Sequence, residues 1–220
     1  MLKPPFSFDQ FHQVIADYNT IVFPVQVLWL LMGIGALLFI HTSSKGTNRY
    51  ISFFLGILWL WNGLAYHFMH FAAINNAAWI FGAVFILQGL FFLFESFIKR
   101  RISYRFTRNP RNYTGYFLII FGLILYPLIG MGLGIGFGNT ISLGLPCPST
   151  ILTFGFLMIA GRSLPRYLLI IPTLWAIIGT SAAFYFGVYH DIMLIIAALI
   201  ADIWLLSMKK RPLKTDTTQV

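Results

Sequence analysis

Two histidines three residues apart, His67 and His70, close the run WLWNGLAYHFMHF that begins at Trp59. Residues at this spacing share one side of a helix. A histidine pair there can hold a metal, relay a proton or hydrogen-bond a neighbouring helix. His190 and Asp191 form a second pair. Brought together, these four residues would offer ligands for a divalent metal able to activate water. No HExxH or paired CxxC pattern accompanies them, so ordinary helix packing stands beside the metal reading. Asp191 also suits the first turn of a helix. Seven further polar residues sit singly in apolar surroundings: Asn62, Gln88, Glu95, Ser149, Thr150, Thr153 and Asp202. Each costs free energy inside a bilayer unless it finds a partner or lines a polar path, which makes all seven candidates for lining a solute pathway. Glu95 has a local alternative in Lys99, four residues on and in the favourable order. For Asp202, within ADIWLLSM, the alternative is a hydrogen bond to another helix.

The surroundings of these residues are those of a membrane protein. The 220-residue chain is 58% hydrophobic and 10% charged, with mean hydropathy +0.79, whereas a soluble domain carries roughly 25% charged residues. Apolar runs recur at the length, about 20 residues, that crosses a hydrocarbon core of about 30 Å. They predict an all-α polytopic bundle, a single transmembrane domain over 1–208, with seven spans at about 21–41, 50–72, 77–98, 115–136, 148–162, 166–187 and 190–208, then a cytoplasmic tail at 209–220. Basic residues fall in alternate connections: Lys45 and Arg49, six between Lys99 and Arg111, Arg162 and Arg166, and four between Lys209 and Lys214. Only Lys3 of the fifteen lies on the other side. The positive-inside rule then sets the N-terminus outside and the C-terminus inside. The net charge of +9 is accounted for by these short loops, which suit anionic lipid head groups and lack any nucleic-acid fold. The N-terminus lacks the apolar core of a signal peptide, so the first span is expected to serve as its own insertion signal. One cysteine, Cys147, leaves no internal disulfide.

Two stretches break the helical texture. Ser7 and Gln10 have capping-box spacing, and Phe8, Phe11, Ile15 and Tyr18 follow at helical steps, so residues 8–19 read as an amphipathic helix on the outer surface. The run GMGLGIGFG (130–138) places glycine at every second position, and GLPCPSTILTFG (144–155) follows it. Pro127 is expected to kink the fourth span. Pro146 and Pro148 are expected to delay the fifth to about residue 148, leaving only roughly 22 Å of helix. The passage between is read as an irregular dip lining a cavity, with Ser149 and Thr150 facing it.

WLWNGLAYHFMHFAAINNAAWIFGAVFILQGLFFLFE (59–95), GLPCPSTILTFGFL (144–157) and the stretch from Leu168 to Ala197 together resemble a family of uncharacterised bacterial multi-span membrane proteins. The resemblance covers about residues 20–205 and places 67, 70, 75, 88 and 146–155 at the family's motif positions. It implies a bacterial inner membrane and brings no chemistry with it. The residues themselves favour a channel or transporter for a small solute. An intramembrane metal-dependent enzyme using the His/Asp ligands, and an accessory subunit that contacts partners or copies of itself, are the alternatives.

Overall fold

The computed structural model describes residues 5–42 and 44–208; the tail expected at 209–220 lies outside them. All regular structure in the described residues is helical, apart from one isolated bridge between Leu143 and Leu145. Eight helical segments follow in order: α1 (Phe8–Val22), α2 (Val25–Phe39), α3 (Lys45–Ala73), α4 (Ala78–Lys99), α5 (Pro110–Gly132), α6 (Pro146–Ala160), α7 (Arg166–Tyr185) and α8 (Tyr189–Ser207). Five of them, α3, α4, α5, α7 and α8, are long and apolar enough to cross a membrane; α1 and α2 would make a sixth only as one segment bent by 82°. Large apolar side chains such as Leu31, Ile80, Leu90, Ile177 and Ile203 stand on the exposed faces of this group. That is the inverse of a soluble bundle.

The helix starts follow their local chemistry. Ser7 and Gln10 close the expected capping box of α1, which continues past residue 19 to Val22 and buries Phe11, Val14, Ile15 and Tyr18 on one face. Asn109 caps α5 ahead of Pro110. Helix α6 starts at Pro146, earlier than expected. A proline at the first helical position gives up an N–H that has no partner there, and its fixed φ already suits the helix. Pro127 does not sharply break α5. A π turn over Phe121–Leu125 precedes it, and the helix resumes from Tyr126. Such a turn shifts the hydrogen-bond ladder where proline would interrupt it.

Helix α6 is the axis of the molecule. All of its residues except Cys147 are buried, enclosed by α3, α5, α7 and α8. Its closest contact, with α5, runs backbone against backbone. A β-carbon on Gly155 would lie 2.6 Å from the Gly115 carbonyl oxygen, and one on Gly122 would lie 2.6 Å from that of Pro148. The antiparallel pair α3–α4 repeats the arrangement: a β-carbon on Gly89 would meet the Gly56 carbonyl oxygen at 2.8 Å, and one on Gly63 that of Gly82 at 2.8 Å. In all four strips, 56–63, 82–89, 115–122 and 148–155, the contact residues are seven apart, so each strip keeps one face turned to its neighbour over about two turns.

The connections at the two ends differ. At one end the basic segments meet: Phe106 N–H donates to Ile40 O, Tyr104 N–H to Asn48 Oδ1, and Ser103 N–H to Ser163 Oγ. Arg166 donates to the carbonyls of Leu206 and Met208 that end α8. At the other end lies the glycine run, and here the sequence expectation needs correction. Residues 131–134 and 136–138 are exposed, and a β-carbon at Gly132, Gly134, Gly136 or Gly138 would meet nothing. The run is largely exposed, although Met131, Phe137 and Gly138 border a cavity of about 520 Å³ together with Asn19, Gln26 and Pro127. The buried dip is the shorter stretch 140–145, which α1 satisfies: Asn19 donates to Gly138 O and Thr140 O, and Tyr18 to Gly144 O. Gly144 has φ +102°, and a side chain there would strike Trp29 at 2.8 Å.

The backbone contact of α5 with α6 yields a direct test. Gly155→Ala sets a methyl against the α5 backbone and should lower the thermal midpoint in detergent, by an overpacking cost of about 1–3 kcal/mol. Gly132→Ala, facing open space, should leave it unchanged.

Candidate functional site

The end of the bundle opposite the basic segments contains a cavity of about 330 Å³, within the size range of small-molecule sites. Phe6 and Phe11 of the α1 region, Phe71 in the last turn of α3, and Trp175 and Phe186 form an aromatic wall. Phe186 stacks on Phe6 and Phe11, with centroids 4.9 and 4.5 Å apart, and Phe71 meets Phe6 edge-on. Polar residues enter at few points: Asn75, Cys147, Ser181 and Asp191, beside the rings of Tyr66, Tyr185 and Trp175, whose Nε1 has no hydrogen-bond partner.

Asp191 is fully buried. The turn Tyr189–Asp191 that opens α8 is held by its own N–H donating to Val188 O at 2.8 Å. Asp191 sits in that first turn, where the sequence placed it, but its side chain does not cap the helix. Instead it crosses to α5, where the Tyr126 hydroxyl donates to Oδ1. Oδ2 has no hydrogen-bond partner. The Cys147 thiol lies beside both Asp191 and Tyr126. Three helices thus converge here on one carboxylate: α5 through Tyr126, α6 through Cys147 and α8 through Asp191.

The four residues read as metal ligands do not converge. Among the described residues no group of three His, Cys, Asp or Glu side chains is placed to hold a metal ion. A π turn over Asn62–Phe68 and a 3₁₀ turn over Phe71–Ala73 alter the period between His67 and His70, so spacing by three no longer puts them on one face. His67 is fully buried in rings, 4.7 Å from Phe85 and 5.2 Å from Trp175 between centroids, and neither ring nitrogen has a partner. His70 lies edge-on to Tyr18 with Nδ1 2.6 Å from Ala65 O. His190 turns to Tyr126, ring centroids 4.2 Å apart, rather than into the cavity.

The seven candidates for a solute path do not line this cavity; all but Thr150 hydrogen-bond beyond their own helix. Where α3 crosses α6, Asn62 donates to Leu58 O and Ser149 Oγ, and Trp59 donates to Thr153 Oγ1 at 3.0 Å. Thr150 and Thr153 donate to carbonyls of their own helix, those of Pro146 and Ser149. Gln88 donates to Leu168 O, joining α4 to α7. Asp202 accepts from Thr173 at 2.8 Å, joining α8 to α7. Glu95 is buried at the basic end and pairs with Arg101 and Tyr167, not Lys99. The reason is again a π turn, Glu95–Lys99, closed by Arg100 at φ 51°: it carries Lys99 away over the Phe94 ring and brings Arg101 back to the carboxylate. The hydrogen bond that Arg101 donates to Glu95 holds the Arg101 pKa above its ordinary value. Sequence reasoning gave no signal for Tyr126 or Trp175, which act across helices far apart in the chain, nor for Arg101, which reaches Glu95 only because the π turn and Arg100 reverse the chain between them.

Residues 8–215 match a family of unknown function, DUF6064, and the chain belongs to that family. No curated protein and no solved structure matches it.

Two stability tests follow. His67→Leu removes buried ring nitrogens that nothing satisfies, and burying such a group costs about 1–3 kcal/mol; the thermal midpoint should hold or rise. Arg101→Met strips the charged partner from buried Glu95 and should destabilise by a similar amount, about 1–3 kcal/mol. Adding Glu95→Gln to that variant should recover part of the loss, and a midpoint unmoved by Arg101→Met would count against the pair.

Proposed function

We propose that the chain is a seven-span integral membrane protein, N-terminus outside and C-terminus inside, whose outer cavity receives a small solute as the entry site of a transporter or channel. In this reading α1 lies on the outer surface, α2 to α8 each cross once, and α6 is short because protein surrounds it. The basic end then faces the cytoplasm of a bacterial inner membrane. The groove of about 450 Å³ lined by Lys45, Arg49 and Arg100 meets anionic lipid head groups there.

The observation that carries the solute reading is Asp191: a fully buried carboxylate on a cavity wall with one oxygen unpartnered. A buried polar atom without a partner is costly, and a position that keeps one beside an opening is suited to bind what enters. The metal-enzyme alternative has no comparable support, since its ligands lie apart.

Cys147, the only cysteine, borders the same cavity and reports on it directly. In intact cells a small membrane-impermeant thiol reagent should label Cys147, and Ala182→Phe, which fills the cavity, should block the label. On a Cys147→Ala background, a cysteine at Arg105 should react only after permeabilisation. Labelling of the Arg105 site in intact cells would reverse the orientation. Failure to label Cys147 even in permeabilised cells would remove the entry site.

A further inference from the structure

We infer that the outer cavity takes a small organic cation, an amine carried on an apolar or aromatic body; this rests on the proposed solute site and names the chemistry of its ligand. Two features define the class. Asp191 presents a free carboxylate oxygen at the cavity, and no Lys or Arg lies in salt-bridge reach of it among the described residues, whose one ion pair is Glu95 with Arg101. A buried carboxylate that is to stay ionised needs a partner of opposite charge or donors on both oxygens. Tyr126 serves Oδ1 and the Cys147 thiol lies beside the carboxyl group, yet Oδ2 has no partner within hydrogen-bond distance, which leaves room for a donor group. An ammonium supplies the donor and the charge together.

The wall supplies the second half of the match. Phe6, Phe11, Phe71, Phe81, Trp175 and Phe186 face the cavity. Aromatic faces attract a cation within about 6 Å and bury the apolar body it is attached to. An anionic solute would meet Asp191 with the same charge and find no cation among the described lining residues. A neutral polar solute could satisfy Oδ2 but would leave the carboxylate without a counter-charge.

The test is calorimetric titration of the full chain in lipid nanodiscs with 2-phenylethylamine and with 2-phenylethanol, which differ in the ammonium alone. The amine should bind at least tenfold more tightly than the alcohol. Asp191→Asn, which still accepts from Tyr126, should erase that preference, and Ala182→Phe should abolish binding of both. Equal or tighter binding of the alcohol to the parent would overturn the cationic class while leaving the solute site standing. An amine preference that survives Asp191→Asn would also overturn it. If neither compound binds, the inference fails, and the solute site is then judged by the Cys147 labelling alone.

Discussion

Helix backbones in direct contact, the carbonyl of one against the α-carbon of the next, set the geometry of this molecule. In hydrocarbon, apolar side chains gain little by leaving lipid for protein, so helix association depends on close van der Waals packing and on hydrogen bonds between helices. The strips 56–63 on 82–89 and 115–122 on 148–155 provide that packing, and each registers two helices at both ends of a two-turn contact. Holding α5 against α6 this closely leaves α6 no exposed face. Helix α6 can then be 15 residues long and be preceded by irregular backbone at 140–145, because protein rather than lipid surrounds both.

The polar residues follow from the same packing. A side chain beside a tight contact has no space to carry water or solute along its helix, so it must be satisfied by the helix it touches. Asn62 and Gln88 directly precede seam glycines, Gly63 and Gly89, and both reach across to neighbours. Open volume appears where the seams end. Beyond Gly63 the helix α3 passes through a π turn and then a 3₁₀ turn, while α5 passes through a π turn just before and around Leu123. Beside the end of the α3 seam, aromatic rings from the α1 region, α3 and the end of α7 line the cavity.

Much of the helical order was legible in the sequence. Apolar runs and the basic connections place each of the seven expected segments on a helix within a few residues, and Ser7 with Gln10 announced α1 and its cap. The seam was also written there, as GILWLWNG, GAVFILQG, GYFLIIFG and PSTILTFG. It escaped notice because seven residues is too short a period for a fold repeat and too long for the four-residue small-residue motif. The conspicuous glycines misled: those of 132–138 face open space, while Gly144, in no pattern, cannot carry a side chain. Residue spacing failed wherever a π turn intervened, between His67 and His70 and between Glu95 and Lys99, since periods of three and four presuppose the α-helix. No spacing rule joins Tyr126 to Asp191, which are 65 residues apart.

That last contact ties the cavity to the seam. Tyr126 stands four residues beyond Gly122, the outermost backbone contact of α5 with α6, and on the far side of the π turn Phe121–Leu125. A π turn departs from the ladder of the α-helical turns that flank it and is frequent at functional sites. The last turn of α5 is thus anchored to Asp191 on one side and joined to a π turn on the other. Any group that engages Asp191 acts on a carboxylate already shared with Tyr126, and so acts on the position of that turn. The glycine seam below it is fixed by atoms in contact and has little freedom to follow. Tyr126 is thus the link from α5 to the cavity wall: it does not line the cavity itself but holds Asp191, which does.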